Sequence, residues 1–193
     1  MLAANGIPGD RIVHVRGPEA VRSSRRPFQL LGLHASLGSD GKPVVDGMPW
    51  ESPDVLAAVK RAAGDDAWLA AYDGPERFDI LPLLVATDGA VAAFGRDIRR
   101  LRPNILIAGV EGMAEVGWPG AELHIRDTVI RLDSLRPRCP MTTIDPDTIE
   151  RDPGVLKDIG RRFNGRLALN AEVLVPGEVA VGDEVVLRPP ASV

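Results

Sequence analysis

The sequence RPRCPMTTIDPDT fills residues 136–148, here called the cysteine loop, and its three prolines rule out a continuous helix through this stretch. The elements on either side are therefore separate. Cys139, the single cysteine of the chain, lies within it. Arg136 and Arg138 place positive charge beside the thiol, which favours the thiolate. The loop is thus predicted to be a stiff, basic segment that presents a sulfur to a reaction or to a metal.

Short apolar runs separated by turn residues extend outward from the loop in both directions. Seventeen prolines and 20 glycines punctuate them, which is typical of many short strands joined by turns. Hairpins are predicted around residues 39–42 and 126–127, and a turn at residues 87–89. Strands are predicted at residues 12–15, 28–34, 78–86, 104–108, 122–125, 128–133, 170–175, 178–181 and 184–188.

Two helices are indicated by their start signals. Ser52-Pro53-Asp54 offers a capping hydroxyl, a proline suited to the first turn and a carboxylate at the positive end of the helix dipole, and Gly64 ends that helix. Asp152-Pro153-Gly154 opens the second. The predicted fold class is mainly β with a few short helices (α+β), built on a barrel-like body.

Composition narrows the classes of function. With 193 residues and 45% hydrophobic content the chain can bury one sizeable core or two small ones. A net charge of −4 gives a nucleic-acid partner no electrostatic support. One cysteine makes no internal disulfide and no cysteine-ligated iron–sulfur cluster. The longest apolar run and residues 1–10 resemble neither a membrane span nor a signal peptide, so a cytoplasmic protein without a membrane partner is expected.

Four separated blocks carry a family resemblance. They are RRLRPNI at residues 99–105, Glu115 with Trp118 and Gly120, RCPMTTIDPDT at residues 138–148, and Gly182-Asp183 with Val185. In this order and spacing they resemble the MOSC domain family, named for the C-terminal part of molybdenum cofactor sulfurases. The resemblance covers residues 79–188 well, and residues 6–11 and 23–27 more faintly.

The resemblance implies a fold and a cofactor. It implies a β-barrel MOSC domain at residues 79–190, preceded by a shortened N-terminal β-rich region at residues 1–78. It implies a pterin-based molybdenum cofactor held between the two regions, with Cys139 as the molybdenum ligand. Stand-alone bacterial reductases and amidoxime-reducing members of this family reduce small N-hydroxylated substrates with electrons from a separate donor protein. Sulfurase members instead hand on sulfur, and their pyridoxal-phosphate domain lies elsewhere in the polypeptide.

Basic and polar side chains complete the predicted site. The cofactor's phosphate and polar pterin suit arginine forks and hydrogen-bonding groups. The predicted cofactor-binding residues are Arg25, Arg26, Arg100, Arg102, Asn104, Arg138, Thr142 and Thr143. Alternatives stay open here: the arginines can form a solvated charge run, the threonines can cap the turn that follows them, and Cys139 can be an inert buried residue. Asp145 and Asp147 are interpreted as turn residues rather than as a catalytic pair.

The chain departs from the family pattern at three places. It lacks, near its start, the Lys-Ser pair that touches the cofactor phosphate in longer members. Leu101 stands where many members have an aromatic residue, and Arg126 stands where a glycine is common, which predicts an adjusted turn.

Three functions therefore compete. The first is a molybdenum-dependent oxidoreductase with an external electron donor. The second is a sulfur carrier that holds a persulfide on Cys139 and is served by a separate cysteine desulfurase. The third is a module that binds the cofactor without turnover. Fold alone does not decide among them.

Overall fold

The computed structural model describes residues 1–190, which form eleven strands and three α-helices. The strands are β1 (Val13–Arg16), β2 (Ala35–Leu37), β3 (Pro43–Val45), β4 (Met48–Pro49), β5 (Trp68–Ala71), β6 (Leu83–Thr87), β7 (Ile105–Ile107), β8 (Glu122–Ile125), β9 (Thr128–Pro137), β10 (Arg166–Val175) and β11 (Val186–Arg188). The helices are α1 (Pro53–Ala63), α2 (Asp88–Phe94) and α3 (Pro153–Phe163). The predicted class, mainly β with a few helices, is confirmed.

The chain divides into two compact units. The first unit comprises residues 1–8, residues 78–142 and the chain from Pro153 onward. The second unit comprises residues 9–77 and residues 143–152. The domain boundary expected between residues 78 and 79 stays a prediction.

A curled six-stranded sheet, a half-barrel, forms the body of the first unit. Its order is β11-β8-β9-β10-β6-β7, and neighbouring strands are antiparallel except β6 and β7, which are parallel. Alternate residues of β8 and β9 are buried, as expected for a sheet with one covered face. The row Val173, Ile130 and Leu123 crosses three strands on that face and is buried throughout.

A second apolar cluster of the first unit joins α2, α3 and β10. Phe94, Val155, Ile159 and Leu167 are buried in it. Leu101 is buried in the same cluster, so the leucine at this position is a core residue. This packing fixes the basic block at residues 99–102 relative to α3 and β10.

The second unit is smaller and is built on α1. Ser52 caps this helix, its side chain accepting a hydrogen bond from the Asp54 amide at 3.1 Å, and Gly64 ends it at a φ of 107°. Val55 and Val59 on one helix face are buried with Ala67. Strands β2, β3 and β4 form a meander, and β1 pairs with β5. The helix and the hairpin around residues 39–42 agree with prediction.

Three sequence predictions are wrong. Residues 28–34 were expected to form a strand, but Phe28–Gly32 is a 3-10 helix in which only Leu30 is buried. Residues 87–89 were expected to form a turn, but they open α2, because Thr87 accepts the Ala90 amide as a helix cap. Residues 178–181 were expected to form a strand, and in the described chain they do not.

Two further features are the turn between β8 and β9 and the lengths of the helices. The hairpin of β8 and β9 turns at Arg126, which adopts a left-handed φ of 53°, the conformation for which glycine is favoured. Among residues 1–190, every helix is too short or too polar to cross a membrane.

Candidate functional site

Cys139 follows the end of β9 and is half-buried, with a free thiol. A 3-10 helix, Pro140–Thr143, begins directly after it. The Cys139 carbonyl accepts two hydrogen bonds from Thr142, one from the amide at 3.1 Å and one from the hydroxyl at 2.9 Å. Thr142 is only 1% exposed, so this contact fixes the backbone that carries the cysteine.

Arg138 is held by backbone carbonyls on three sides. Its amide donates to Gly165 O at 2.8 Å, and its Nη2 donates to Leu101 O at 2.8 Å. Its Nη1 lies 3.5 Å from Leu167 O, at the long limit of a hydrogen bond. The Nε of Arg138 is shielded from solvent and has no hydrogen-bond partner among residues 1–190. One donor of this cation, on the residue that precedes Cys139 in the chain, therefore has no partner in the described part of the chain.

The electrostatics of this pair are unusual for an arginine. Burial, reinforced by the positive charges of Arg136 and Arg102, lowers the pKa of Arg138 to about 10, while the Cys139 sulfur opposes the shift. A shielded cation of this kind stabilises a negatively charged group placed close to it.

Arg136 is engaged in a separate network on the sheet. Its Nη2 bonds to the Asp79 carboxylate at 2.6 Å, and its Nη1 donates to Asn170 Oδ1 at 3.1 Å. Asn170 is 1% exposed, and its side-chain Nδ2 donates to Ser134 Oγ at 3.1 Å. Asp79 therefore neutralises much of the charge of Arg136, whereas Arg138, the residue before Cys139, has a side-chain donor with no partner among residues 1–190.

The basic block contacts the cysteine loop through Arg100. Arg100 Nη1 lies 3.5 Å from Thr142 O. Arg102 is exposed and adopts a left-handed φ of 58°. A surface concavity of about 420 Å³ lies beside it, lined by Ile98, Arg99, Arg102, Pro103, Asn104 and Leu106.

Asn104 joins two strands. Its side-chain Oδ1 accepts the Leu84 amide at 2.8 Å, and its backbone N–H donates to Leu84 O at 2.8 Å. These two hydrogen bonds continue the pairing of β6 and β7. Its predicted role toward a cofactor stays a prediction.

Three predicted residues belong to the second unit. Arg25 and Arg26 are exposed in the segment between β1 and the 3-10 helix Phe28–Gly32, and Thr143 is buried. Their assignment to a common site with Cys139 stays a prediction. Asp145 accepts the amides of Asp147 and Thr148 at 3.0 Å each, the hydrogen bonding of an Asx-type turn, which supports the interpretation of these aspartates as turn residues.

Glu115 belongs to one of the family blocks, and no role was predicted for it from the sequence. It is 0% exposed, and its carboxylate accepts hydrogen bonds from the Thr87 amide, the Thr87 hydroxyl and the Ala168 amide at 2.9–3.0 Å. Burial raises its pKa, against the hydrogen bonds from Thr87 and Ala168. The signal available in the sequence was an acidic residue inside a family block and beside apolar neighbours.

Comparisons with known proteins give one family model and several relatives that match this chain. A family model described as the MOSC domain matches residues 88–186, just over half of the 193 residues. The human mitochondrial amidoxime-reducing component 1 is 30% identical over 128 residues, which are 56% of this chain and 37% of the relative. The human mitochondrial amidoxime reducing component 2 is 33% identical over 76 residues, 36% of this chain and 22% of the relative.

A third relative, the mitochondrial amidoxime reducing component 2 of Macaca fascicularis, is 34% identical over 76 residues, with the same 36% and 22% shares. The chain thus spans between 22% and 37% of the length of the curated relatives it matches. Since the family model covers just over half of the chain, including β7 to β10, the basic block and the cysteine loop, the chain belongs to the MOSC domain family.

Proposed function

We propose that this protein binds a pterin-based molybdenum cofactor, with Cys139 as the protein ligand of the metal. The observation that carries the proposal is the pairing of a half-buried free thiol with the shielded, unpartnered Nε–H of Arg138 on the adjacent residue. A soft thiolate suits a metal that already has sulfur ligands. A fixed guanidinium donor suits an anionic group placed beside that sulfur.

The surrounding residues fit such a cofactor chemically. Arg100, Arg102 and Thr142 belong to the same unit as Cys139, and the two arginines carry donors that suit a phosphate and polar ring atoms. Thr142 acts indirectly, because its hydroxyl is already bonded to the Cys139 carbonyl. Asn104, together with Arg25, Arg26 and Thr143 from the second unit, is included as a prediction.

The reaction that we propose is reduction of small N-hydroxylated compounds. The support is the similarity to relatives whose names describe amidoxime reduction. Converting an N–OH group to N–H consumes two electrons and two protons and releases water. The bound cofactor would supply the two-electron redox chemistry. The residues of this chain would hold the cofactor, and a separate donor protein would supply the two electrons to it.

Metal analysis of the purified protein tests the proposal. The full chain is produced in a host that makes the cofactor, and molybdenum per chain is measured for wild type, Cys139→Ser and the control Ser36→Ala on exposed β2. We expect molybdenum in wild type and control, and loss of most of it in Cys139→Ser. Metal-free wild type, or equal molybdenum in Cys139→Ser, would reject the proposal. Bound molybdenum without catalytic turnover would support a module that binds the cofactor and is not an enzyme.

A second candidate is a sulfur carrier, because a half-buried thiol beside Arg138 would also stabilise a persulfide anion. In this case a separate cysteine desulfurase would deliver sulfur to Cys139. Mass spectrometry after incubation with a desulfurase and cysteine would then show one added sulfur atom on the Cys139 peptide. An unmodified peptide under conditions that load a known carrier would exclude this candidate.

A further inference from the structure

Glu115 lies at the centre of a buried hydrogen-bond hub in the first unit. It sits in the 3-10 helix Ala114–Gly117. Its Oε2 accepts both donors of Thr87, at 3.0 Å from the amide and 2.9 Å from the hydroxyl. Its Oε1 accepts the Ala168 amide at 2.9 Å. Burying a carboxylate is costly, and three donors on two oxygens are the arrangement that compensates the cost.

The Ala168 end of this hub is a strained bulge. Ala168 has a φ of 64°, a left-handed conformation that residues with a Cβ disfavour. The register of β9 and β10 shifts here, since Arg166 pairs with Pro137 and Leu169 pairs with Leu135. Two residues of β10 therefore face one residue of β9, as in a β-bulge. The bond from Ala168 to Glu115 gives the bulge a fixed partner outside the sheet.

The same bulge supplies the carbonyls around Arg138. Gly165 O accepts the Arg138 amide at 2.8 Å, and Leu167 O lies 3.5 Å from its Nη1. Leu167 directly precedes Ala168, so the peptide that carries the Leu167 carbonyl also carries the Ala168 N–H. That peptide is planar, and fixing its N–H therefore fixes its C=O.

We propose that Glu115 is a positioning residue: by holding the Ala168 amide it orients the Leu167 carbonyl, and through it the guanidinium of Arg138, the residue before Cys139. Its importance for catalysis rests on the proposed function, because that function requires Arg138 and Cys139 to act together. Glu115 itself touches neither the thiol nor the guanidinium through any hydrogen bond in the described residues.

The rival explanation is that Glu115 only stabilises the fold. Thr87 separates the two, because Thr87→Val removes the hydroxyl that donates to Oε2 and leaves the Ala168 bond to Oε1 in place. This variant also weakens the cap of α2, so it lowers stability without touching the path to Arg138. It is the matched control for a purely structural role.

The readout is hydrogen exchange at the Arg138 Nε–H, followed by NMR in the ¹⁵N-labelled full chain and assigned by its loss in Arg138→Lys. In wild type this shielded N–H and the Ala168 amide are expected to be protected to a similar degree. In Glu115→Gln the single amide oxygen is expected to turn toward the two Thr87 donors, leaving Ala168 opposite an NH₂ group. Glu115→Asp keeps the charge but is too short to span both partners.

Both Glu115 variants are expected to accelerate exchange at the Arg138 Nε–H by about tenfold or more beyond what their loss of global stability explains. Thr87→Val is not expected to cause such an extra acceleration. Unchanged exchange in the folded Glu115 variants, or equal acceleration in Thr87→Val, rejects the proposal. If neither Glu115 variant folds, wild type decides: Arg138 protection far below that of Ala168 rejects the coupling, and similar protection supports it.

Molybdenum analysis keeps this proposal separate from the proposed function. If wild type is metal-free but the Glu115 variants accelerate exchange at the Arg138 Nε–H, the cofactor proposal is rejected and the positioning role stands. If wild type contains molybdenum and exchange at the Arg138 Nε–H is unchanged in the Glu115 variants, the cofactor proposal is supported and the positioning role is rejected. If both hold, Glu115→Gln is expected to retain less molybdenum per chain than Thr87→Val.

Discussion

Arg126 shows how a single residue can be placed against its own backbone preference. It turns the hairpin of β8 and β9 at a φ of 53° and makes an ion pair with Asp183 at 3.5 Å, in which the arginine is exposed and the carboxylate is half-buried. A long ion pair to an exposed arginine contributes little to stability, whereas a left-handed residue with a Cβ carries a cost of about 1 kcal/mol. Arg126→Gly is therefore expected to raise the free energy of unfolding by about 0.5 kcal/mol, after allowing for the greater freedom of glycine in the unfolded chain.

Urea denaturation measures this change, and Arg126→Ala is the control. Alanine removes the same ion pair and keeps the left-handed cost, so its unfolding free energy is expected to stay close to wild type or fall slightly. A glycine variant no more stable than the alanine variant would show that the turn is not strained.

Single residues also mark the limit of what the sequence can predict. Cys139 and its neighbouring arginines could be identified because their chemistry is visible in the residue types. The buried hub at Glu115 could not, because its partners Thr87 and Ala168 are 28 and 53 positions away along the chain. The orphaned Nε–H of Arg138 likewise depends on carbonyls supplied by distant segments. Such groups become visible only after the sheet has brought them together.

Helix α2 is anchored at its start by a carboxylate that serves the loop after β7. Asp88 accepts the amides of Gly109 at 2.7 Å and Val110 at 2.9 Å, in addition to that of Gly89. These bonds, from Val110 and Gly109 foremost, lower the pKa of Asp88. A depressed folded-state pKa means that the contribution to stability is present above the unfolded value of about 3.9 and is lost as the pH falls through the folded value.

We therefore expect Asp88→Asn to lower the urea midpoint at neutral pH, and the gap from wild type to stay constant down to about pH 5. The gap then closes below about pH 4, as Asp88 is protonated in wild type. Urea titrations at pH 7, 5 and 3 follow the gap. The raised pKa of Glu115 affects both proteins alike and cancels in the comparison. A gap that persists unchanged at pH 3 would contradict the role of the ionised carboxylate.

Gly89, the second residue of α2, lies against the backbone of the same loop. A Cβ at this position would come within 2.3 Å of Val110 O and 2.5 Å of Gly112 O. Gly89→Ala must therefore displace either the helix or the loop, and we expect a loss of about 2 kcal/mol or more in unfolding free energy. Gly160 in α3 is the matched control, because nothing lies within 4 Å of its Cβ position. There the same substitution is expected to gain about 0.5–1 kcal/mol.

Elements were predictable where local chemistry is unambiguous. The Ser52-Pro53 start and Gly64 end defined α1, and the two-residue turn defined the hairpin of β8 and β9. Prediction failed where one motif serves two structures. Thr87-Asp88-Gly89 reads equally as a turn and as a helix cap, and the contact of Asp88 with residues 109–110 decides for the cap. The apolar run at residues 28–34 reads as a strand, yet one buried residue in five is the pattern of a helical turn.

At the scale of the whole molecule, the fold class and the family followed from a few separated blocks. Their order and spacing reflect one sheet, in which the basic block, the cysteine loop and Glu115 are neighbours of β6, β9 and β10. The assignment of residues 143–152 to the second unit was not predicted from the sequence. Residues 143–152 belong with residues 9–77, although the chain enters and leaves this segment from the other unit. No local pattern of residues encodes such a return.

The single cysteine sets the electron supply of the proposed enzyme. If Cys139 binds molybdenum, no thiol of these 193 residues is left to ligate an iron–sulfur relay. We therefore expect the loaded protein to reduce an N-hydroxylated amidine with a chemically reduced viologen dye as donor, and to form no amidine from NADH alone. Chromatographic assay of the amidine measures both.

Two controls give that experiment its meaning. Cys139→Ser and wild type from a host that cannot make the cofactor are expected to form no product with the dye, because dye-driven reduction must pass through the loaded site. Turnover with NADH alone at the dye-supported rate would show that the chain accepts electrons without a donor protein. Dye-supported turnover that survives Cys139→Ser would place the reaction away from the cysteine loop, and the free thiol beside Arg138 would then need a different explanation.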